Sequence, residues 1–252
     1  MKKISFKDTY TLGNIVNENT HFKHIFYPEM LIRYDSNFIE FKILPSLDEF
    51  KETERYLKEF HLRKGQKHVK FYFPENIKPT SDLLTYLTDM SYEIGFLELY
   101  AIEPKQFPPI GKNSDIEIKV VTGKTLDFLL NLHYKNSLLF GIEFAKQKNE
   151  LIKRQFIDSS VQQVLAFYKG QPVGHMDIII SDKIVEIDDL SVNELVQKKG
   201  IGSQLQKFVM DSFPDKTVLL IADGEDTPRE MYQKQHYINS GFKYEIQKVD
   251  KD

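Results

Sequence analysis

"SVNELVQKKGIGSQLQKFVMDSF" (residues 191–213) is the stretch on which the reading of this chain turns. Polar residues run into Gly200-Ile201-Gly202. Ile201, Leu205, Phe208, Val209 and Phe213 then recur every three to four residues, as on one apolar helix face. Glycine opens a helix badly, at a cost of about 1 kcal/mol against alanine, so two of them need a reason. A helix N-terminus leaves about four backbone N–H donors unpaired and carries the positive end of the macrodipole. Small residues keep those donors bare, so that an anionic group such as a phosphate can reach the main chain. Gln197, Lys198 and Lys199 add donors and positive charge at the same turn. Taken alone, the glycine pair also fits a sharp turn that needs one positive φ. A dinucleotide fingerprint fails because Leu205 stands where its third glycine belongs, and no Gly-Lys-Ser/Thr follows for a Walker A loop.

Working outward, "KIVEIDDLSV" before this stretch reads as a strand and "TVLLIAD" (217–223) after it as another. Upstream lie a strand "IEIKVV", helices near 124–139 and 142–157, and a hairpin "VLAFYKGQPVGHMDIII" turning at Lys169 to Pro172. Downstream, Thr227-Pro228-Arg229-Glu230 opens a helix expected to end at Ser240-Gly241, and "FKYEIQKV" returns as a strand. The first half repeats part of this order. "MLIRYDSNFIEFKIL" reads as a hairpin turning at Asp35-Ser36-Asn37. It is followed by a helix over 46–62 with a capping box, a strand "HVKFYF", a helix "TSDLLTYLTDM" and a strand "GFLELYAI". Proline-rich "EPKQFPPIGKNSD" (103–115) is the most linker-like stretch, and the expected division is 1–110 and 111–252.

Composition sets the outer limits. With 252 residues, 41% hydrophobic and 28% charged, the class is soluble globular. A formal charge of −3 gives no global pull towards nucleic acid. There is no cysteine, so disulfides and cysteine nucleophiles are excluded. "MKKISFKDTYTLGN" lacks an apolar core for a signal peptide, and no apolar run nears the ~20 residues of a membrane span. The expected location is the cytoplasm, with no membrane partner.

"LSVNELVQKKGIGSQL" closely resembles the central motif of the GCN5-related N-acetyltransferases (GNAT), Gln/Arg-x-x-Gly-x-Gly/Ala, which stands here as Gln197-Lys198-Lys199-Gly200-Ile201-Gly202. "EIDDLSV" looks like the family's fourth strand. "HYINSGFKYE" looks like its later helix-to-strand passage, with Tyr237 four residues before Gly241. The resemblance covers 116–249. It implies an α+β mixed-sheet GNAT fold, with the first half as a degenerate tandem copy. Asp48 and Glu49 occupy the helix start where that copy would need its glycine loop, and they would repel a pyrophosphate.

By that resemblance the chain is an acetyl-CoA-dependent N-acetyltransferase acting on a primary amine by direct attack. The pyrophosphate of coenzyme A would rest on Gln197, Lys198, Lys199, Gly200, Ile201, Gly202 and Ser203. Leu190, Ser191 and Val192 would meet the pantetheine, with a backbone N–H near Leu190 facing the thioester carbonyl. Tyr237 matches the position whose phenol serves the leaving thiolate; Tyr232 is the weaker candidate, expected to face elsewhere. Glu186, eleven residues before the motif glutamine, aligns with a catalytic glutamate of one family branch. Strand alternation puts Asp188 on its face and Asp189 on the other, unless a bulge reverses them. For each acid the plain alternative is charge on a half-exposed strand, and for Tyr237 a buried aromatic.

Asp223 departs from the asparagine common after the fifth strand. His175 and His236 read as structural, and His21 to His24 shows no metal pattern, so no metal is expected. The acceptor is expected to be a small-molecule or peptide amine, with a homodimer left open. Two other functions fit the same residues: an idle acyl-CoA-sensing module, or a transferase of another acyl group.

Overall fold

A computed structural model describes residues 4–225 and 229–250. In the first half, aromatic and β-branched runs form strands β1 (Asn14–Glu18), β2 (Phe22–Phe26), β3 (Phe38–Phe41), β4 (His68–Tyr72) and β5 (Glu93–Ile102). Helices α1 (Leu47–Arg63) and α2 (Ser81–Asp89) lie among them. The second half supplies β6 (Ile116–Val120), α3 (Leu126–Ser137), α4 (Ile142–Phe156), β7 (Val161–Tyr168), β8 (Gln171–Ile180) and β9 (Ile184–Val192). It ends with α5 (Ile201–Ser212), β10 (Thr217–Asp223), α6 (Arg229–Lys234) and β11 (Ile238–Val249).

All these strands join one mixed sheet, ordered β1-β2-β3-β4-β11-β5-β10-β9-β8-β7-β6. The order is pseudo-symmetric about its centre. In each half an antiparallel pair (β2/β3 or β8/β9) leads through a helix (α1 or α5) to a parallel pair (β3/β4 or β9/β10). Each half then takes the other's last strand as its neighbour: β11 lies beside β4, and β5 beside β10. The cores are exchanged accordingly. Tyr100 and Ile102 of β5 pack with Val185, Leu205 and Val209, while Ile246 of β11 packs with Phe50, Phe71 and Leu83. Neither strand could be withdrawn without exposing the other half's apolar centre.

Two expectations need correction. The hairpin at Asp35 to Asn37 is absent. Residues 28–36 instead form 3-10 turns at Pro28–Met30 and Tyr34–Ser36, and the antiparallel partner of β3 is β2. The cause is Asn37: its Oδ1 accepts from Tyr27 N at 3.0 Å, and its Nδ2 donates to Arg33 O at 2.9 Å. That buried amide folds the segment on itself. The last helix stops at Lys234, not at Ser240, and its expected start at Thr227-Pro228 lies outside the described residues. His236 turns the chain at φ 69, and Gly241 sits at a register shift within β11, not at a helix cap. Among the described residues no helix is long and apolar enough to cross a membrane.

Candidate functional site

β9 and β10 run parallel and pair from Ile184/Thr217 to Ile187/Leu220. Both strands continue beyond, but the pairing stops, so the sheet opens between them. At this opening β9 carries a bulge. Asp188 opposes Asp177 and Ser191 opposes His175, which leaves Asp189 and Leu190 facing the single Met176. Asp189 takes φ 49, left-handed for a residue other than glycine. The bulge follows Asp188, so alternation keeps Glu186 and Asp188 together and is broken only beyond them.

The chain from β9 to α5 is built to leave its helix start bare. Asn193 Oδ1 accepts from Leu195 N at 3.0 Å, and Gln197 Nε2 donates to Val192 O at 3.2 Å, which ties the loop to the strand. Lys198 and Gly200 both have positive φ, 62 and 85, and Gly200 is the N-cap. Among the described residues no side chain caps α5, and Gln204 N to Gly200 O, 3.0 Å, is its first backbone bond. The N–H groups of Ile201, Gly202 and Ser203 come before it. A β-carbon on Gly200 would have nothing within 4 Å, and one on Gly202 only Leu190 Cδ2 at 4.0 Å. Gly200 answers to its φ, but nothing in the protein's packing requires a glycine at 202. The space in front of it suits a ligand. By contrast, at Gly174 a β-carbon would lie 2.7 Å from Ser191 O, so that glycine serves strand packing. In the first half the equivalent helix start is closed. Ser46 Oγ accepts from Glu49 N at 3.3 Å and Glu49 Oε2 from Ser46 N at 2.8 Å.

The strand acids occupy different surroundings. Glu186 is buried and accepts from Tyr10 N at 2.6 Å; burial pushes its carboxyl up to about 8. Asp188 lines a cavity of about 1260 Å³ between the halves, and burial together with the Asp189 charge raises its pKa. Asp177, opposite it, is buried with Oδ1 unpartnered, and burial then Asp189 push it up to about 8. Burial would raise Asp189 as well, but the Lys148 ammonium at 2.7 Å holds it below the usual carboxylate range.

His133 and His175 stack with ring centroids 3.8 Å apart, and burial lowers both, His133 to about 2. Their rings therefore stay neutral. With Asp189 they form the one grouping among the described residues whose ligand atoms, within 4.8 Å of one another, could hold a metal ion. The sequence reading did not single it out, and Asp189 already has Lys148 as counter-ion.

Tyr237 is buried in the core under α5, its ring 5.7 Å from Tyr232 and 6.4 Å from Phe107, and its hydroxyl has no partner among the described residues. Burial raises its pKa well above the ordinary phenol value. Tyr232 does not face elsewhere. Because α6 ends at Lys234, its ring meets both Tyr237 and Tyr100. Ser203 Oγ accepts from Gln235 Nε2 at 3.2 Å, which links α5 to the same turn. Ser191 Oγ accepts from Asn136 Nδ2 at 3.3 Å. His236 is exposed and meets Gln106 O at 2.9 Å.

Several cavity residues escaped the sequence reading: His133 from α3, Lys148 from α4, and Arg33 and Tyr34 from the first half. The first two left a signal. Lys148 shares the buried face of α4 with Ala145, Leu151 and Ile152, and His133 that of α3 with Leu129. A lysine on an apolar stripe needs a buried partner.

A parallel pair that opens beside an uncapped, glycine-started helix is the arrangement that characterises the GNAT fold. Comparison with known proteins agrees. The model of the acetyltransferase (GNAT) domain matches residues 135–249, and that of a domain of unknown function (DUF5613) matches 4–100. The second half of the chain carries a GCN5-related N-acetyltransferase domain, and the mixed α/β sheet is the GNAT fold. A functionally unknown conserved protein from Staphylococcus epidermidis ATCC 12228 is 33% identical over 99% of each chain, with a TM-score of 0.92. A GCN5-related N-acetyltransferase from Kribbella flavida shares the fold at 11% identity and TM-score 0.65, covering 95% of this chain and 91% of its own. A tandem GNAT protein from the clavulanic acid biosynthesis pathway does so at 7% identity and TM-score 0.51, covering 85% and 76%. No curated protein matches.

Proposed function

We propose that this chain transfers the acetyl group of acetyl-CoA to a primary amine, with one coenzyme site, in its second half (111–252), and a degenerate copy in its first (1–110). The single observation that carries the reading is the bare start of α5: three leading N–H groups, an N-cap with no side-chain bond among the described residues, and open space over Gly202. The pyrophosphate would lie against residues 200–203 with Lys198 and Lys199 nearby, and the pantetheine along Leu190, Ser191 and Val192. The bound coenzyme supplies a thioester.

Asp188 is the better placed base, since it lines the cavity whereas Glu186 already accepts from Tyr10 N. A carboxyl raised by burial takes a proton from an ammonium more readily than an ordinary aspartate does. The amine then forms a C–N bond to the carbonyl carbon while backbone N–H near Leu190 faces the developing oxyanion. The C–S bond breaks, Tyr237, whose hydroxyl has no partner among the described residues, donates its proton to the thiolate, and its phenolate takes the second proton that the nitrogen loses as the amide forms.

Free-thiol release from acetyl-CoA against an amine panel, with calorimetry of coenzyme uptake, tests this. Turnover on an amine supports it. Tight uptake without turnover on any amine would point to a sensing module instead, and no uptake would end both readings.

A further inference from the structure

We infer that the acceptor is a primary amine carried on an apolar chain or ring, an assignment that rests on the transferase reading above. On the inner faces of α3 and α4, Leu129, Leu151 and Ile152 are fully buried. Their junction breaks that pattern. Leu139 is 75% exposed, Phe140 67% and Ile142 61%, and across the same cavity Leu195 is 89% exposed. The backbone holds them out. A 3-10 turn, Leu138–Phe140, ends at Gly141 with φ 103, a left-handed conformation that swings the chain into α4 with the three side chains facing away from the core. Contiguous exposed apolar surface of this kind marks a binding site more often than an accident of packing.

The patch lines the cavity that also holds Asp188 and Glu143, with Arg33 in the same wall. Asp189 and Asp35 there are paired with Lys148 and Lys70, so of the three aspartates Asp188 is the one without an ion pair among the described residues. An acyl chain laid here would bring no cation to it. A polyamine would place charge against leucine and phenylalanine. An alkyl- or arylalkylamine matches both features, with its ammonium towards Asp188 and its hydrocarbon against Phe140, Leu139 and Ile142. At about 1260 Å³ the cavity is larger than an ordinary single-ligand pocket and has room for a coenzyme arm beside such an amine.

The test is a homologous series. With acetyl-CoA saturating, kcat/KM is measured for ethylamine, butylamine, hexylamine and phenethylamine, and for 1,6-diaminohexane and glucosamine as polar counterparts. Equilibrium binding of the same amines to the CoA-loaded protein is followed by calorimetry. The expected gain is about fourfold per buried methylene, so hexylamine exceeds ethylamine by roughly 10²-fold, and it exceeds 1,6-diaminohexane at least tenfold. Leu139→Ser and Phe140→Ser, at side chains already in solvent, should keep the melting temperature and compress the hexylamine-to-ethylamine ratio towards one. Turnover with no dependence on chain length, or with a preference for the polar amines, overturns this inference and leaves the transferase reading standing. Chain-length-dependent, Phe140-dependent binding without turnover does the reverse. A dimer that dissociates on Phe140→Ser in sedimentation, with no amine gradient, assigns the patch to a second copy and also overturns it.

Discussion

Gly202→Asp separates the coenzyme cradle from mere helix architecture, because it should move stability and binding in opposite directions. Position 202 is the second residue of α5, as Asp48 is of α1. Without ligand the change is benign. A β-carbon there meets only Leu190 Cδ2, at 4.0 Å. Aspartate is a slightly better helix former than glycine, and a carboxylate in the first turn gains about 0.3–1 kcal/mol from the macrodipole. The free protein should be more stable by roughly 0.5–1.5 kcal/mol, raising Tm by about 1–5 °C for a chain of this length. Binding should suffer. At ~5 Å a unit charge opposes a doubly charged diphosphate by ~1.7 kcal/mol at the dielectric constant of water and by ~3 at half that value. A loss of about 2–3 kcal/mol is a 30- to 150-fold weaker Kd for CoA. Calorimetry at low salt reads it, and high salt should shrink the gap because the site faces solvent. A Kd within threefold of the unaltered protein would refute the cradle, whatever the thermal shift shows.

Tyr237→Phe removes a buried hydroxyl with no partner among the described residues, so Tm should hold or rise slightly, while kcat falls about 10²-fold with KM for acetyl-CoA little changed; a lower Tm with intact kcat would make the residue structural. Lys148→Met leaves Asp189 without its ammonium and should cost about 3 kcal/mol, with most of it recovered in the double variant with Asp189→Asn; a single variant melting within 2 °C of the parent would contradict this. Asp177 is raised to about 8, far above its unfolded value near 4, so the folded chain keeps a proton that the unfolded chain releases. That contribution is whole below pH ~4 and is lost as pH rises towards 8. Asp177→Asn should therefore flatten the decline in stability between pH 5 and 8, with Glu186 leaving a residual slope. Denaturant titrations giving parallel pH profiles for the two proteins would dismiss the idea.

Local patterns were legible in the sequence wherever local physics decides the structure. The capping box at Ser46 and Glu49, the apolar face of α5 and the turn at Lys169-Gly170 all depend on near neighbours in the chain, and all are present. Reading failed where a distant or unusual bond intervened. Asn37 folds residues 27–37 through three backbone contacts that no alternation pattern announces. His236 breaks the last helix with a positive φ that its residue type does not demand.

By itself the sequence determined that a helix begins bare of side chains at Gly200 to Ser203, because bulk and backbone freedom there are properties of the residues in that turn. Only the tertiary structure decided which strand acid faces the cavity, that Lys148 neutralises Asp189, and that β5 and β11 complete each other's half. Those outcomes depend on where the sheet opens and on which groups share a buried space, and residues more than forty positions apart set both.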